Sequence, residues 1–169
     1  MNQLQGLIFD VDGTLANTER DGHRVAFNQA FAEAGLDWHW SVDFYGKLLT
    51  VSGGKERIKY YLQQYLPEFK QSKDLADFVA YLHQLKTNHY LELLRSGAIK
   101  LRPGAKRLVE AARQEGVALA IATTTSLPNV IALLEKYLDL DWFEVIAAGD
   151  IVPAKKPAPD IYQYALNQM

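Results

Sequence analysis

The period of apolar residues changes twice along this chain. The run Leu7-Ile8-Phe9 within residues 4–12 is continuously apolar and reads as a buried strand that ends at Asp10 and Asp12. Between about 18 and 34 the spacing becomes helical: Phe27, Ala30, Phe31 and Ala34 recur at i, i+3, i+4 and i+7, and Gly35 suits the C-terminal cap. Ser41 is placed to cap a short helix through Leu49, and Ser52-Gly53-Gly54 breaks the pattern. Ile58, Tyr61, Leu62 and Tyr65 form the next apolar face, stopped by Pro67. Ser72 then caps a longer helix carrying Leu75, Phe78, Val79 and Leu82 on one side. Residues 16–93 are thus expected to be all helical.

After Ser96-Gly97 strands return. Arg102-Pro103-Gly104 opens a helix with Leu108, Val109 and Ala112, closed by Gly116. Val117–Ala122 is a strand, 128–138 a helix with Pro128 in its first turn, Phe143–Ala148 a strand, and Asp160 begins a helix running to Met169. This alternation predicts right-handed parallel βαβ units, hence an α/β fold whose first strand is separated from its partners by a helical insertion of about 80 residues.

In such sheets ligands sit beyond the carboxyl ends of the strands. Those ends carry Asp10 and Asp12, then Thr123-Thr124-Thr125-Ser126, then Gly149-Asp150 followed by Lys155-Lys156-Pro157. Two carboxylates two residues apart, before Gly13-Thr14, form a corner suited to phosphoryl chemistry. One attacks phosphorus, its neighbour handles the leaving-group proton, and both help hold magnesium. Composition narrows the alternatives. With 169 residues, 49% hydrophobic and 22% charged, the chain has an ordinary globular make-up, and a net charge of −2 offers no basic field for nucleic acid. It has no cysteine, which excludes disulfides, thiol catalysis and cysteine-ligated zinc. No apolar run approaches the ~20 residues needed to span a bilayer, so no membrane partner is expected. Nine residues before Asp10 are too few for a signal peptide, and the expected location is the cytoplasm or an organelle stroma.

These motifs resemble the haloacid dehalogenase-like phosphohydrolase superfamily: Asp10-x-Asp12-Gly13-Thr14, an apolar run ending in Thr123, then Lys156-Pro157-x-Pro159-Asp160. Within it the chain is similar to the CbbY-like proteins in Glu19, His23-Arg24-x-Ala26-Phe27-Asn28, Leu36-Asp37-Trp38, Gly53-Gly54-Lys55-Glu56-Arg57 and Ala122-Thr123-Thr124-Thr125-Ser126. The resemblance implies a Rossmann-like hydrolase core from 1–15 and 97–169, with its last strands missing, and an all-helical cap domain at 16–96. It implies a magnesium-dependent phosphatase whose substrate is a small phosphorylated sugar, xylulose 1,5-bisphosphate, a misfire product that inhibits the carbon-fixing enzyme of the Calvin cycle.

By the same resemblance Asp10 is the nucleophile and a magnesium ligand. Asp12 protonates the leaving oxygen, later activates water, and binds magnesium through its carbonyl. Thr123 donates to the transferring phosphoryl group, with Thr124, Thr125 and Ser126 nearby. Lys156, preferred over Lys155, neutralises charge at the nucleophile. Lys55 and Arg57, beside Gly53, Gly54 and Glu56, grip the second phosphate, and Glu19 either binds substrate hydroxyls or stabilises a helix start. His23 is read as structural or partly exposed, His39, His83 and His89 as surface residues, and Trp38 and Trp40 as cap core.

The family pattern continues past Met169 with a strand ending in an acidic pair, and then a further strand. A truncated chain is therefore expected, with strand one as an exposed edge open to association, a magnesium site short of a carboxylate, and reduced or no activity. A complete chain is expected to be a monomer. The competing functions are a phosphomutase of the β-phosphoglucomutase kind and a non-catalytic binding module.

Overall fold

The computed structural model describes residues 4–51, 53–69 and 74–169. These residues divide into two compact units, Met1–Glu19 with Leu94–Met169, and Arg20–Leu93.

The first unit is built on three parallel strands in the order β1 (Gly6–Phe9), β2 (Ala118–Thr123), β3 (Val145–Ala148). Gly6 to Phe9 pair with Ala118 to Ile121, and Ala120 to Thr123 with Val145 to Ala148. Among the described residues β1 hydrogen-bonds to β2 alone. The strand expected over 4–12 is only four residues long. It ends at Phe9 because the carbonyl of Val11 turns inward to receive the N–H groups of Thr14, Leu15 and Ala16 at 3.0–3.2 Å. That curl takes both aspartates out of the ladder and leaves them on a loop at its carboxyl end.

Helix α5 (Pro103–Gln114) begins with Pro103, whose missing N–H costs nothing in a first turn, and packs on β2. Helix α6 (Leu127–Leu134) runs from β2 toward β3. It is shorter than the expected 128–138: Tyr137 leaves the helical path, and its hydroxyl donates within reach of the carbonyls of Gly97 (2.8 Å) and Ile99 (3.0 Å). β3 also starts later than expected, because Asp139 accepts from the Asp141 N–H at 3.0 Å and closes a 3₁₀ turn over Leu140–Trp142. Helix α7 (Asp160–Gln168) lays Ile161 and Ala165 on Ala120, Ala122 and Ala147, whose small side chains let it approach β2 and β3 closely.

Among its described residues the second unit holds helices joined by loops and no strand, as the pattern predicts. A π-helical turn over Thr18–His23 leads into α1 (Arg24–Glu33), followed by α2 (Val42–Leu48), α3 (Gly54–Tyr65) and α4 (Leu75–Arg95). At the end of α1 the Leu36 N–H returns to the Phe31 carbonyl at 2.9 Å beyond Gly35. Ser41 caps α2 by accepting from the Phe44 N–H at 3.2 Å. The cap expected from Ser72 lies outside the described residues; Asp74 performs that task for α4, accepting from Ala76 N at 2.7 Å. Trp38 and Trp40 are core, within a cluster that includes Phe27, Phe31, Tyr45 and Tyr61. Edge-to-face pairs such as Phe31–Trp40 (4.8 Å) and Trp38–Tyr61 (5.5 Å) hold its geometry.

His23 does more than fill space. Its Nδ1 lies 2.8 Å from Lys86 Nζ, and its ring stacks on Tyr90 at 4.0 Å. The ammonium must donate to Nδ1, which keeps the imidazole neutral. Burial first, then the positive charges of Lys86, Arg57 and the neighbouring His83, hold His23 well below its ordinary value; burial and Lys86 also lower His83, while Glu56 opposes. Below pH 6.5, the ordinary histidine value, an unfolded chain takes up protons that the folded one refuses, so stability is retained above that pH and lost below it. The unfolding free energy from urea titrations is therefore expected to fall as the pH is lowered from 7.5 to 5.5, by up to about 1.4 kcal/mol per pH unit for each such histidine. His23→Gln should flatten the slope without removing it, since His83 acts in the same direction; an unchanged slope would refute the assignment.

Candidate active site

The acidic loop is clamped from three sides. Gly13 has φ +75°, a conformation that a side chain resists, and its N–H closes on the Ala16 carbonyl at 2.8 Å. Arg102 donates through Nη1 to the Gly13 carbonyl at 2.7 Å, and its own N–H reaches the Leu15 carbonyl at 2.8 Å. The chain on either side of the insertion is thereby stitched together beneath the loop.

Asp12 has both carboxylate oxygens engaged. Thr18 Oγ1 donates to Oδ1 at 2.5 Å, and Thr125 Oγ1 donates to Oδ2. Two hydroxyls from opposite ends of the sequence thus hold one carboxylate in a single orientation, which is what a group that must give and retrieve a proton needs. Thr18 is fully buried and was not among the residues singled out from the sequence. Its only signal there is a hydroxyl at the start of a helical stretch, which reads equally as a cap.

Asp10 lies on the same loop with its side chain partly exposed. Lys156 Nζ is 3.0 Å from its Oδ1, and the same ammonium donates to the Ala122 carbonyl at 2.7 Å. Burial acts to lower the Lys156 pKa, but Asp10 and Tyr162 beside it outweigh that, so the lysine sits above its ordinary value and stays charged. Lys155 points elsewhere, to an exposed ion pair with Asp150 at 2.7 Å. The geometry therefore places Lys156, not Lys155, at the carboxylate.

Thr123 ends β2 with no exposed surface, and its Oγ1 accepts the Thr125 N–H at 3.2 Å. Its hydroxyl shapes the turn from which Thr125 reaches Asp12. Thr124 is exposed, and Ser126 precedes α6 without a side-chain cap. Gly149 donates its N–H to the Thr123 carbonyl at 3.2 Å, so the loop after β3 is tied to the end of β2. Asp10, Asp12, Thr123, Thr125 and Lys156 are thus brought together; Asp150 is not.

The residues expected to grip a second phosphate are placed differently. Arg57 is buried in the helical unit, only 7% exposed. Its Nε donates to the Leu48 carbonyl (3.2 Å), Nη1 to the Tyr45 hydroxyl (2.9 Å) and Nη2 to the Val51 carbonyl (3.0 Å), with the guanidinium 5.2 Å from the Tyr45 ring centroid. A buried guanidinium needs partners for its donors, and Arg57 uses three of them to tie the end of α2 to the start of α3. Gly54 is required for packing as well, since a Cβ there would stand 2.7 Å from the His83 ring. His83 is accordingly half-buried rather than a surface residue, and His89, also half-buried, pairs with Glu33 at 2.6 Å. Gly53, with φ +92°, lies against the Glu56 carboxylate, while Lys55 and Glu56 are exposed. Glu19 is half-buried in the turn that follows Thr18.

No described helix is long and apolar enough to cross a membrane. The parallel sheet with its acidic loop, threonine turn and lysine defines a class, and comparison agrees. The family model of haloacid dehalogenase-like hydrolases matches residues 4–169, and the chain belongs to that family. It is 46% identical to the CbbY protein of Cupriavidus necator over 98% of its own length and 66% of that relative's. Among solved structures, CbbY of Rhodobacter sphaeroides in complex with phosphate aligns with a TM-score of 0.72 at 45% identity, covering 98% of this chain and 72% of that one. A mutant of the Rhodobacter protein in complex with xylulose-(1,5)bisphosphate aligns with a TM-score of 0.73, with the same identity and coverage. The chain thus spans about two thirds of the length of these relatives.

Proposed function

We propose that this chain supplies the nucleophile and acid–base machinery of a magnesium-dependent phosphatase acting on a phosphorylated sugar, with xylulose 1,5-bisphosphate the favoured substrate. The observation that carries the reading is the division of labour between two aspartates on one loop. Asp10 is paired with a cation, and Asp12 is held by two hydroxyls. Asp10 attacks phosphorus as its bond to the sugar oxygen breaks, and Asp12 delivers a proton to that oxygen. Asp12 then takes a proton from the water that cleaves the aspartyl-phosphate, restoring both carboxyl groups. Lys156 offsets the charge that gathers on the phosphoryl oxygens. The threonine turn lies at the amino end of α6, where N–H groups favour an anion.

Among the described residues no three His, Cys, Asp or Glu side chains cluster to form a metal cage. Magnesium does not require one: it is commonly held by one or two carboxylates, waters and the substrate phosphate. The Asp10 carboxylate and the Asp12 carbonyl, both hard oxygen donors on one loop, fit that donor set. When bound, the ion screens the approach of two anions. The substrate preference rests on the likeness to the Rhodobacter complex.

The test is phosphate release from xylulose 1,5-bisphosphate and from a sugar monophosphate, with magnesium or with EDTA, beside single-turnover labelling with ³²P-substrate. Magnesium-dependent release favouring the bisphosphate, and label on Asp10, are expected. A folded chain that neither releases phosphate nor takes label would overturn the reading.

A further inference from the structure

The lysine at the nucleophile has a third neighbour that the phosphatase reading does not use. Lys156 Nζ stands 4.9 Å from the ring centroid of Tyr162, in the first turn of α7. The ring is set by its backbone, the Tyr162 N–H bonding the Pro159 carbonyl at 3.0 Å, while 38% of the residue stays exposed. We propose that Tyr162 is a positioning residue for Lys156, its aromatic ring holding the ammonium at the nucleophile throughout the reaction cycle.

The need for such a residue follows from the chemistry. A lysine is a point charge on a flexible four-carbon stem, and it works only where something fixes it. Of its three N–H groups, one goes to the Ala122 carbonyl and one to Asp10. The Asp10 contact is strong only while that carboxylate is a free anion. Once Asp10 has become an acyl phosphate, its oxygen is a weaker acceptor and the lysine has to follow the phosphoryl oxygens. The attraction of a cation to an aromatic face does not depend on the charge of Asp10 and uses no N–H. The ring can therefore keep the ammonium in place as its Asp10 partner changes. The Tyr162 hydroxyl, through a side-chain hydrogen bond, also contributes to keeping Lys156 charged, and Tyr162→Phe separates that contribution from the ring's.

The inference rests on the phosphatase reading for what the lysine does, but the contact itself can be observed without turnover. The experiment compares the unaltered chain with Tyr162→Leu and Tyr162→Phe. Its first readout is the ¹H–¹³C NMR signal of the Lys156 ε-methylene, identified by its absence in Lys156→Arg. An upfield ring-current shift is expected in the unaltered chain and in Tyr162→Phe, and its loss in Tyr162→Leu. The second readout is kinetic: Tyr162→Leu should lower kcat about tenfold with KM changed less than about threefold, and Tyr162→Phe should restore most of the loss. A leucine variant that melts like the parent yet keeps its kcat would overturn the proposal, as would an unshifted methylene in the unaltered chain. If leucine disturbs the fold, Tyr162→Phe still decides, because failure of the intact ring to preserve the shift refutes it. A shifted methylene in a chain that shows neither turnover nor label condemns the phosphatase reading, and with it the use proposed for the lysine; the two failures are thus told apart.

Discussion

Asp10→Asn is expected to abolish steady-state phosphate release, lowering kcat by more than about 10⁴-fold, while leaving the fold intact. The amide is nearly isosteric with the carboxylate but is a far poorer nucleophile, so the covalent route is closed rather than slowed. A loss of that size corresponds to more than about 5 kcal/mol of transition-state stabilisation, beyond anything a misplaced binding group supplies. The effect on stability should be small. The lost partner is Lys156, whose ammonium keeps the Ala122 carbonyl, and both members of the ion pair are partly exposed. The check is kcat with magnesium beside a thermal melt, together with ³²P labelling. A variant that retained more than a few per cent of the parent rate, or took up label at another residue, would exclude Asp10 as the attacking group.

Asp12→Asn should cost about 10²–10⁴-fold with a sugar phosphate, and the loss should depend on the leaving group. A sugar alkoxide needs a proton, which the proposed mechanism assigns to Asp12, whereas p-nitrophenolate leaves without one. With p-nitrophenyl phosphate the first step should survive and the second, which needs a base for the attacking water, should fail. The variant should then release about one equivalent of nitrophenol in a burst and stall as the aspartyl-phosphate. Its carboxamide keeps one acceptor oxygen, so only one of the hydroxyls of Thr18 and Thr125 retains its present bond. An equal loss with both substrates and no burst would show that Asp12 positions Asp10 rather than moving protons.

Elements set by local chemistry were legible before any coordinates. The start of α5 at Pro103, the caps at Ser41 and Gly35, and the three strands follow from residues whose preferences act within a few positions. Strand and helix ends were less legible, because they were decided by distant partners. Tyr137 leaves α6 for carbonyls some forty positions away, and β1 ends where Val11 gathers the N–H groups of the loop.

The same division runs through the candidate site. The sequence alone determined the acidic corner, its place after a buried strand, and the polar strand ends that accompany it, since a short apolar run followed by charged and turn-forming residues has few ways to fold. Which charged groups face each other was decided by tertiary structure. Lys155 and Lys156 are adjacent and chemically alike, yet only one finds Asp10. Arg57 reads from the sequence as a cation beside a glycine break, and only the fold shows it buried, donating to carbonyls at and just beyond the end of α2. Thr18 carried no signal beyond that of a helix cap and Tyr162 none, since a hydroxyl or a ring gains its role only from what packs against it. Local propensity acts along the chain, while burial and Coulomb attraction act through space, and only folding reveals which neighbours those forces bring together.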